Sequence, residues 1–387
     1  MRLSNCIVLL TMLPLFLGGC AGKEGESPGP ASGPWPDDEA VEGWKMTANS
    51  RVFGFTTQNR YAYCPSVVGM VDGSSEVFFC GNPVANVMVD NIYHFTVSSD
   101  MSRTAPVSVL QPGEPGRWDN QHTCDPSVVK GKFRFNGADY VYAMFYLGCT
   151  VEYYYNEVGV AFANDLSARE WVKYPLPVVS KTWQYDGDQP CGGGLSWGVG
   201  QPSAISLDKG GKVLLSYTIG DVDGTRIVLR ELDMSDMDDM RVGAAVTMSN
   251  AGLLNIGKTG LDYTCNSDIA LDEESNSVVM VRPVQPHPLV YPAFINESLE
   301  VDRLDFEAFR NGVGTWEPLF RISPAETGFP RNHNAAIGRD EYGHIVGGDV
   351  LGVWYTVAKA APDVAPSEGM HAEWTYEIYR AEFSFEN

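Results

Sequence analysis

One short motif recurs five times along this chain, and its spacing limits what the chain can fold into. Cys124-Asp125-Pro126-Ser127-Val128-Val129 is its clearest copy. Tyr63-Cys64-Pro65-Ser66-Val67-Val68 precedes it. Gly200-Gln201-Pro202-Ser203-Ala204-Ile205, Cys265-Asn266-Ser267-Asp268-Ile269-Ala270 and His333-Asn334-Ala335-Ala336-Ile337-Gly338 follow it. Equivalent positions lie 61, 76, 65 and 68 residues apart. Such a period marks repeated supersecondary units that bury their faces against one another.

Each unit reads as short strands. In the second, alternating apolar residues and Gly/Asn/Asp turns give strands at 127–135, 140–147, 157–164 and 171–174. The third repeats the plan at 203–207, 213–219 and 226–232, and the fifth at 335–337, 344–348, 352–357 and 374–385. Residues 302–310 form the one stretch with helical character. Four strands in each of five units make an all-β chain, a five-bladed β-propeller. A β-sandwich leaves the five similar units without a reason. In a propeller the innermost strands start near the axis at one end, so the motif heads form a ring: Cys64, Asp125, Gln201, Asn266 and Asn334. These polar or sulfur-bearing groups suit the floor of a wet pocket rather than a packed axis.

The ends read differently. Residues 1–19 carry Arg2 and an apolar run too short to span a bilayer, the pattern of an export signal. It ends in Leu17-Gly18-Gly19-Cys20, which resembles a bacterial lipoprotein signal with Cys20 as the lipidated residue. Residues 20–43 are rich in Gly, Pro, Ser and acids and read as a disordered tether. Residues 44–387 are the propeller domain. Ala21 after the cysteine, by resemblance to lipoprotein sorting in Gram-negative bacteria, implies the outer membrane, with the body facing the periplasm or the surface. A monomer held to the membrane by its lipid is the expected state. The net charge of −22 opposes binding to nucleic acid, whose phosphates require Lys and Arg. Six cysteines beyond Cys20 suggest three disulfides in an exported protein, paired here as Cys64–Cys80, Cys124–Cys149 and Cys191–Cys265. No Cys/His spacing suggests zinc.

Asp125-Pro126-Ser127-Val128 followed by Tyr140-Val141-Tyr142-Ala143-Met144-Phe145-Tyr146, and His333-Asn334 followed by Asp340-Glu341-Tyr342-Gly343-His344, resemble the five-bladed propeller glycoside hydrolases. These are the arabinanases, β-xylosidases and arabinofuranosidases of the family 43 type. The resemblance implies an oligo- or polysaccharide substrate and hydrolysis by carboxylates. In that family a base heads blade one, a pKa-tuning Asp heads blade two, and an acid lies near the head of blade three. Asp125 matches the tuning position. Cys64 and Gln201 stand where the others need carboxylates, so two of the three positions are unmatched. The resemblance also implies that His333 helps hold an axial calcium ion through water.

Asp268, Asp186, Asp188, Asp119 and Asp262 are the candidate replacement acids, each weighed against a turn or capping role. Trp183, Tyr185 and Trp197, in and beside the Gly-rich loop before blade three, offer aromatic faces for stacking on a sugar. Three functions compete: a hydrolase with a rearranged acid set, a non-catalytic glycan-binding propeller, and a structural or interaction lipoprotein. In the first two, Cys64, Gln201, Asn266 and Asn334 contact the ligand.

Overall fold

The computed structural model describes residues 43–55, 61–82, 84, 89–150, 156–180, 198–221, 224–254, 264–284, 296–347, 349–358 and 376–385. Strand β1 (Trp44–Gly54) stands apart from its neighbours in sequence. The next four, β2 (Tyr61–Gly69), β3 (Ser75–Asn82), β4 (Asn91–Val97) and β5 (Val107–Leu110), form an antiparallel sheet, blade one. Blade two is β6 (His122–Phe135), β7 (Ala138–Cys149), β8 (Asn156–Ala163) and the short β9 (Val172–Lys173). Blade three is β10 (Gly198–Ser206), β11 (Lys212–Asp221) and β12 (Gly224–Asp233), edged by β13 (Arg241–Val242) and β14 (Val246–Thr247). A single parallel pair, Gly198 with Asn156, stitches it to blade two. Blade four is β15 (Asp268–Asp272), β16 (Ser277–Pro283), β17 (Leu299–Asp305) and β18 (Glu317–Ile322). Blade five is β19 (Arg331–Ile337), β20 (Val350–Ala358) and β21 (Tyr376–Phe385), with β1 as its fourth strand.

Side chains on a strand alternate between faces, so each blade feeds two cores. On β7, Tyr142, Met144 and Tyr146 pack toward blade one, while Ala143 and Phe145 pack toward blade three. Five separate apolar clusters result, one between each consecutive pair of blades. The cluster between blades five and one includes Phe53, whose ring meets Phe79 and Phe95 at 5.2 and 5.4 Å. The inner strands touch in order, β2 to β6, β10, β15, β19 and back to β2. That cycle is the axis of a five-bladed propeller.

Local chemistry accounts for the turns. Asn136 and Gly137 have φ of 51° and 75° and join β6 to β7, the backbone that a type I′ hairpin needs. Strands β4, β8 and β12 end in one recurring device. Asp100, Asp165 and Asp233 each accept from the backbone N–H and hydroxyl of the serine two residues on. These acids are turn residues.

Several expectations are corrected. Residues 344–347 form no strand, and 348 lies outside the described residues; His344 makes only an isolated bridge to Leu271. The helix begins at Asp305 as N-cap and covers α1 (Phe306–Arg310), because 302–305 belong to β17. The fourth strand of blade five comes from the N-terminal side, not from the C-terminal 54 residues read as unit five. Disulfides Cys64–Cys80 and Cys124–Cys149 do not form: Cys80 bonds Cys124, and Cys64 and Cys149 are buried free thiols. Register is the reason. Cys80 stands opposite Tyr63, and Cys124 stands opposite Leu147 while Cys149 faces His122. Bracketing a hairpin in sequence does not align two cysteines across it. Cys265 is also a buried free thiol, and Cys191 lies outside the described residues.

Candidate functional site

The five motif heads share one backbone feature. Cys64, Asp125, Gln201, Asn266 and Asn334 all have φ between 44° and 52°, the left-handed region that non-glycine residues seldom occupy. On the inner strands of blades one, two, three and five the head sits in a register shift, with two residues bulging out of the ladder. A bulge re-aims a side chain, and here the heads turn toward the axis. They line one pocket of about 30 Å³ together with Pro65, Pro126, Pro202, Ser267, Asp268 and Ala335. That volume is room for about two waters at the floor.

The heads are linked around the ring. Asn334 Nδ2 donates to Cys64 Sγ. The Cys64 thiol and the backbone N–H of Gln201 lie near the Asp125 carboxyl and favour its ionised form. Gln201 Oε1 accepts from the backbone N–H of Asn266 at 2.8 Å. Burial raises the Asp125 pKa to about 6 against the hydrogen bonds that lower it. Burial and the neighbouring Asp125 push the Cys64 thiol well up, so it stays protonated and is no base. Asp125 is therefore a carboxyl whose proton is held up to about pH 6, in a pocket shared with the side chains of Gln201, Asn266 and Asn334.

Below the heads lies a second ring. Ser66 Oγ accepts from Val128 N–H, Ser127 Oγ from Ala204 N–H, and Ser203 Oγ from Ile269 N–H. In blade four the equivalent residue is Asp268, whose Oδ2 accepts from Ile337 N–H at 2.9 Å. Its Oδ1 accepts from Ser203 Oγ at 2.5 Å and pairs with Arg339 Nη1 at 3.2 Å. Asp268 lines the pocket, yet both its oxygens are committed to the frame. Arg339, 3% exposed, also donates to Ser127 Oγ and to the Ile269 carbonyl. The segment that carries it closes the far end of the axis. The carbonyls of Arg339, Glu341, Tyr342 and Gly343 accept from Gly69, Lys130, Ser206 and Leu271, one from each of blades one to four.

His333 is 5% exposed and does not line the pocket. Its Nδ1 bonds Asn334 Oδ1 at 2.7 Å, and burial pulls its pKa down to about 4, so the ring is neutral at pH 7. Its buried Nε2 has no partner among the described residues. Calcium takes six to eight oxygen ligands. Among the described residues the one ligand cluster is Cys64, Cys80, Cys124 and Asp125, three sulfurs with one carboxylate, which does not fit calcium.

Sequence reading missed a polar group behind the ring. Tyr63 Oη donates to Asp90 Oδ2 at 2.8 Å, and His122 Nδ1 lies 3.8 Å from the same oxygen. Burial raises the pKa of Asp90 and lowers that of His122. Nothing in the sequence signals this set, since Asp90 sits just before β4, far in sequence from His122. Asp119 is buried and accepts from Tyr146 Oη and Lys173 Nζ, away from the pocket. Trp183, Tyr185, Trp197, Asp186, Asp188 and Asp262 lie outside the described residues.

No family model matches the chain, and no curated protein matches it. Solved structures do. A family 117 glycoside hydrolase from the marine bacterium Zobellia galactanivorans is 13% identical, with a TM-score of 0.55 over 89% of this chain and 90% of that one. The α-L-arabinofuranosidase of Podospora anserina, solved with cellotriose, is 12% identical, with a TM-score of 0.54 over 90% and 98%. The arabinanase of Bacillus subtilis is 13% identical, with a TM-score of 0.50 over 86% and 97%. At these identities the likeness is one of fold: the chain has the fold of the propeller glycoside hydrolases.

Proposed function

We propose that the protein is a carbohydrate-active propeller that holds an oligo- or polysaccharide over the axial ring and protonates a glycosidic oxygen from Asp125. The observation that carries this reading is the convergence of five left-handed polar heads on one pocket. Backbone held in a sparsely populated region tends to mark a working site. Gln201, Asn266 and Asn334 supply amide donors and acceptors for sugar hydroxyls. Asp125, with a pKa of about 6, keeps a proton in mildly acidic solution that a free aspartate has lost.

The commitments of Asp268 favour a second reading, saccharide binding without turnover. Hydrolysis requires two carboxyl groups. Among the described residues the pocket offers only Asp125 and Asp268, and the frame occupies both oxygens of Asp268.

Export and lipidation at Cys20 belong to the same proposal, supported by Leu17-Gly18-Gly19-Cys20 and the acidic, Pro-rich segment behind it. With Ala21 after the cysteine, these features support a pocket held at the outer membrane.

The test is a glycan array joined to an aryl-glycoside turnover screen, comparing the wild type with Asp125→Asn. Turnover that falls at least about a hundredfold in the variant supports the hydrolytic reading. Saturable binding without turnover selects the second. Turnover indifferent to the substitution, or no binding to any glycan, sinks both.

A further inference from the structure

The sulfurs of Cys80 and Cys124, beside the pocket, are used by neither reading, and they adjoin Cys64 and Asp125. Cys64 comes from β2, Cys80 from β3, and Cys124 and Asp125 from β6, so two blades contribute. One ligand atom of each lies within 4.8 Å of all the others, and the three cysteines are buried. The carboxylate is already at ligand spacing. Asp125 Oδ1 lies 3.3 Å from Cys124 Sγ and 3.8 Å from Cys80 Sγ. Around a tetrahedral zinc ion, with bonds of about 2.3 Å to sulfur and about 2.0 Å to oxygen, that separation is about 3.5 Å.

A second observation points the same way. Two of the sulfurs have a donor aimed at them. Cys64 Sγ accepts from Asn334 Nδ2, and Cys80 Sγ accepts from the backbone N–H of Asp125 at 2.8 Å. Donors of this kind orient ligand thiolates and offset their charge.

We propose that, when the Cys80–Cys124 bond is reduced, Cys64, Cys80, Cys124 and Asp125 form a tetrahedral S₃O site for a zinc-class divalent cation. The reductant is a dithiol or a phosphine. A dithiol takes up the two oxidising equivalents as its own disulfide, a phosphine takes them up as its oxide, with water supplying the oxygen and the two thiol protons, and either leaves two protein thiols. The cation then displaces three thiol protons to solvent, which makes binding pH-dependent. Disulfide and metal exclude one another, so the site is gated by redox state. The proposal does not depend on saccharide binding.

The test uses the full-length chain, reduced without oxygen by a water-soluble phosphine and titrated with Co²⁺ alone. One Co²⁺ per chain is expected, with a near-ultraviolet thiolate-to-cobalt charge-transfer band, visible tetrahedral bands, and displacement by Zn²⁺. The oxidised chain gives neither signal. Cys64→Ala loses the band, Asp125→Asn weakens binding at least about tenfold, and Cys149→Ala leaves it intact. No band after reduction, or one that survives Cys64→Ala, overturns the proposal. Should Cys64→Ala not fold, X-ray absorption of the zinc-loaded wild type reads the shell directly. Three sulfurs at about 2.3 Å and one oxygen at about 2.0 Å are expected, and a shell of nitrogen and oxygen alone overturns the site.

Discussion

Arg339 Nη1 meets Asp268 Oδ1 at 3.2 Å, a contact between blade five and blade four made inside the propeller axis. The guanidinium is 3% exposed and also holds serines of blades two and three. Removing it leaves a carboxylate without its cation and three blades without a common donor. Arg339→Met is expected to lower unfolding stability by about 3–5 kcal/mol in urea titrations. The double variant with Asp268→Ser, which copies the residue of blades one to three, is expected to recover part of that loss. If the two changes simply add, the pair is not coupled.

Asp125 gives a pH signature. Its folded pKa of about 6 lies above the unfolded value of 3.8, so the folded state holds its proton longer. The stability this contributes is present below the unfolded value and lost as pH rises through about 6. The side chain faces a pocket, so the loss is discounted to about 2 kcal/mol by pH 7. Asp125→Asn should flatten that slope in thermal melts taken from pH 4 to pH 7. Parallel profiles for the two proteins would contradict the assignment.

The Cys80–Cys124 bond closes a loop of 44 residues between blades one and two. Loop-closure entropy for that length is worth about 4 kcal/mol. Reduction, or Cys80→Ala, is expected to lower the melting temperature. Cys149→Ala should melt as the wild type does and lose as much on reduction, because Cys149 is already a free thiol.

Two glycines with positive φ should behave differently. Gly137 has open space where a Cβ would go, so Gly137→Ala costs about 1 kcal/mol of backbone strain. A Cβ at Gly198 would strike the backbone of Asn156 at the seam between blades two and three. Gly198→Ala should therefore cost several times more, measured as a shift in urea midpoint.

The ring was legible before any coordinates because its signal is local. A polar head, a proline and a serine recur at blade spacing, and each head needs the same rare backbone geometry. The second ring was half visible in Ser66, Ser127 and Ser203. The role of Asp268 was hidden, since its partners Ile337 and Arg339 lie 69 and 71 residues away in sequence. Strand β1 carries little apolar signal in its first half, where Lys45, Thr47, Ala48, Asn49 and Ser50 are exposed on an outer edge. Its partner β21 lies some 330 residues further on, and no local pattern reports such a pairing. Cysteine pairing failed for the same reason: strand register, and not proximity in sequence, decides which sulfurs meet.

Closure through β1 also fixes how the molecule carries load. Gly43 lies against the ring of Phe385, so both described ends leave from the rim of blade five. Tension applied through the residues before Gly43 falls first on the β1–β21 ladder, nine paired positions running from Trp44 to Gly54. That ladder is also the latch of the ring. Tension applied there would part β1 from β21 before the inner strand of any blade is pulled. A protein held through the residues before Gly43 would open at its rim while the ring of Cys64, Asp125, Gln201, Asn266 and Asn334 was still assembled.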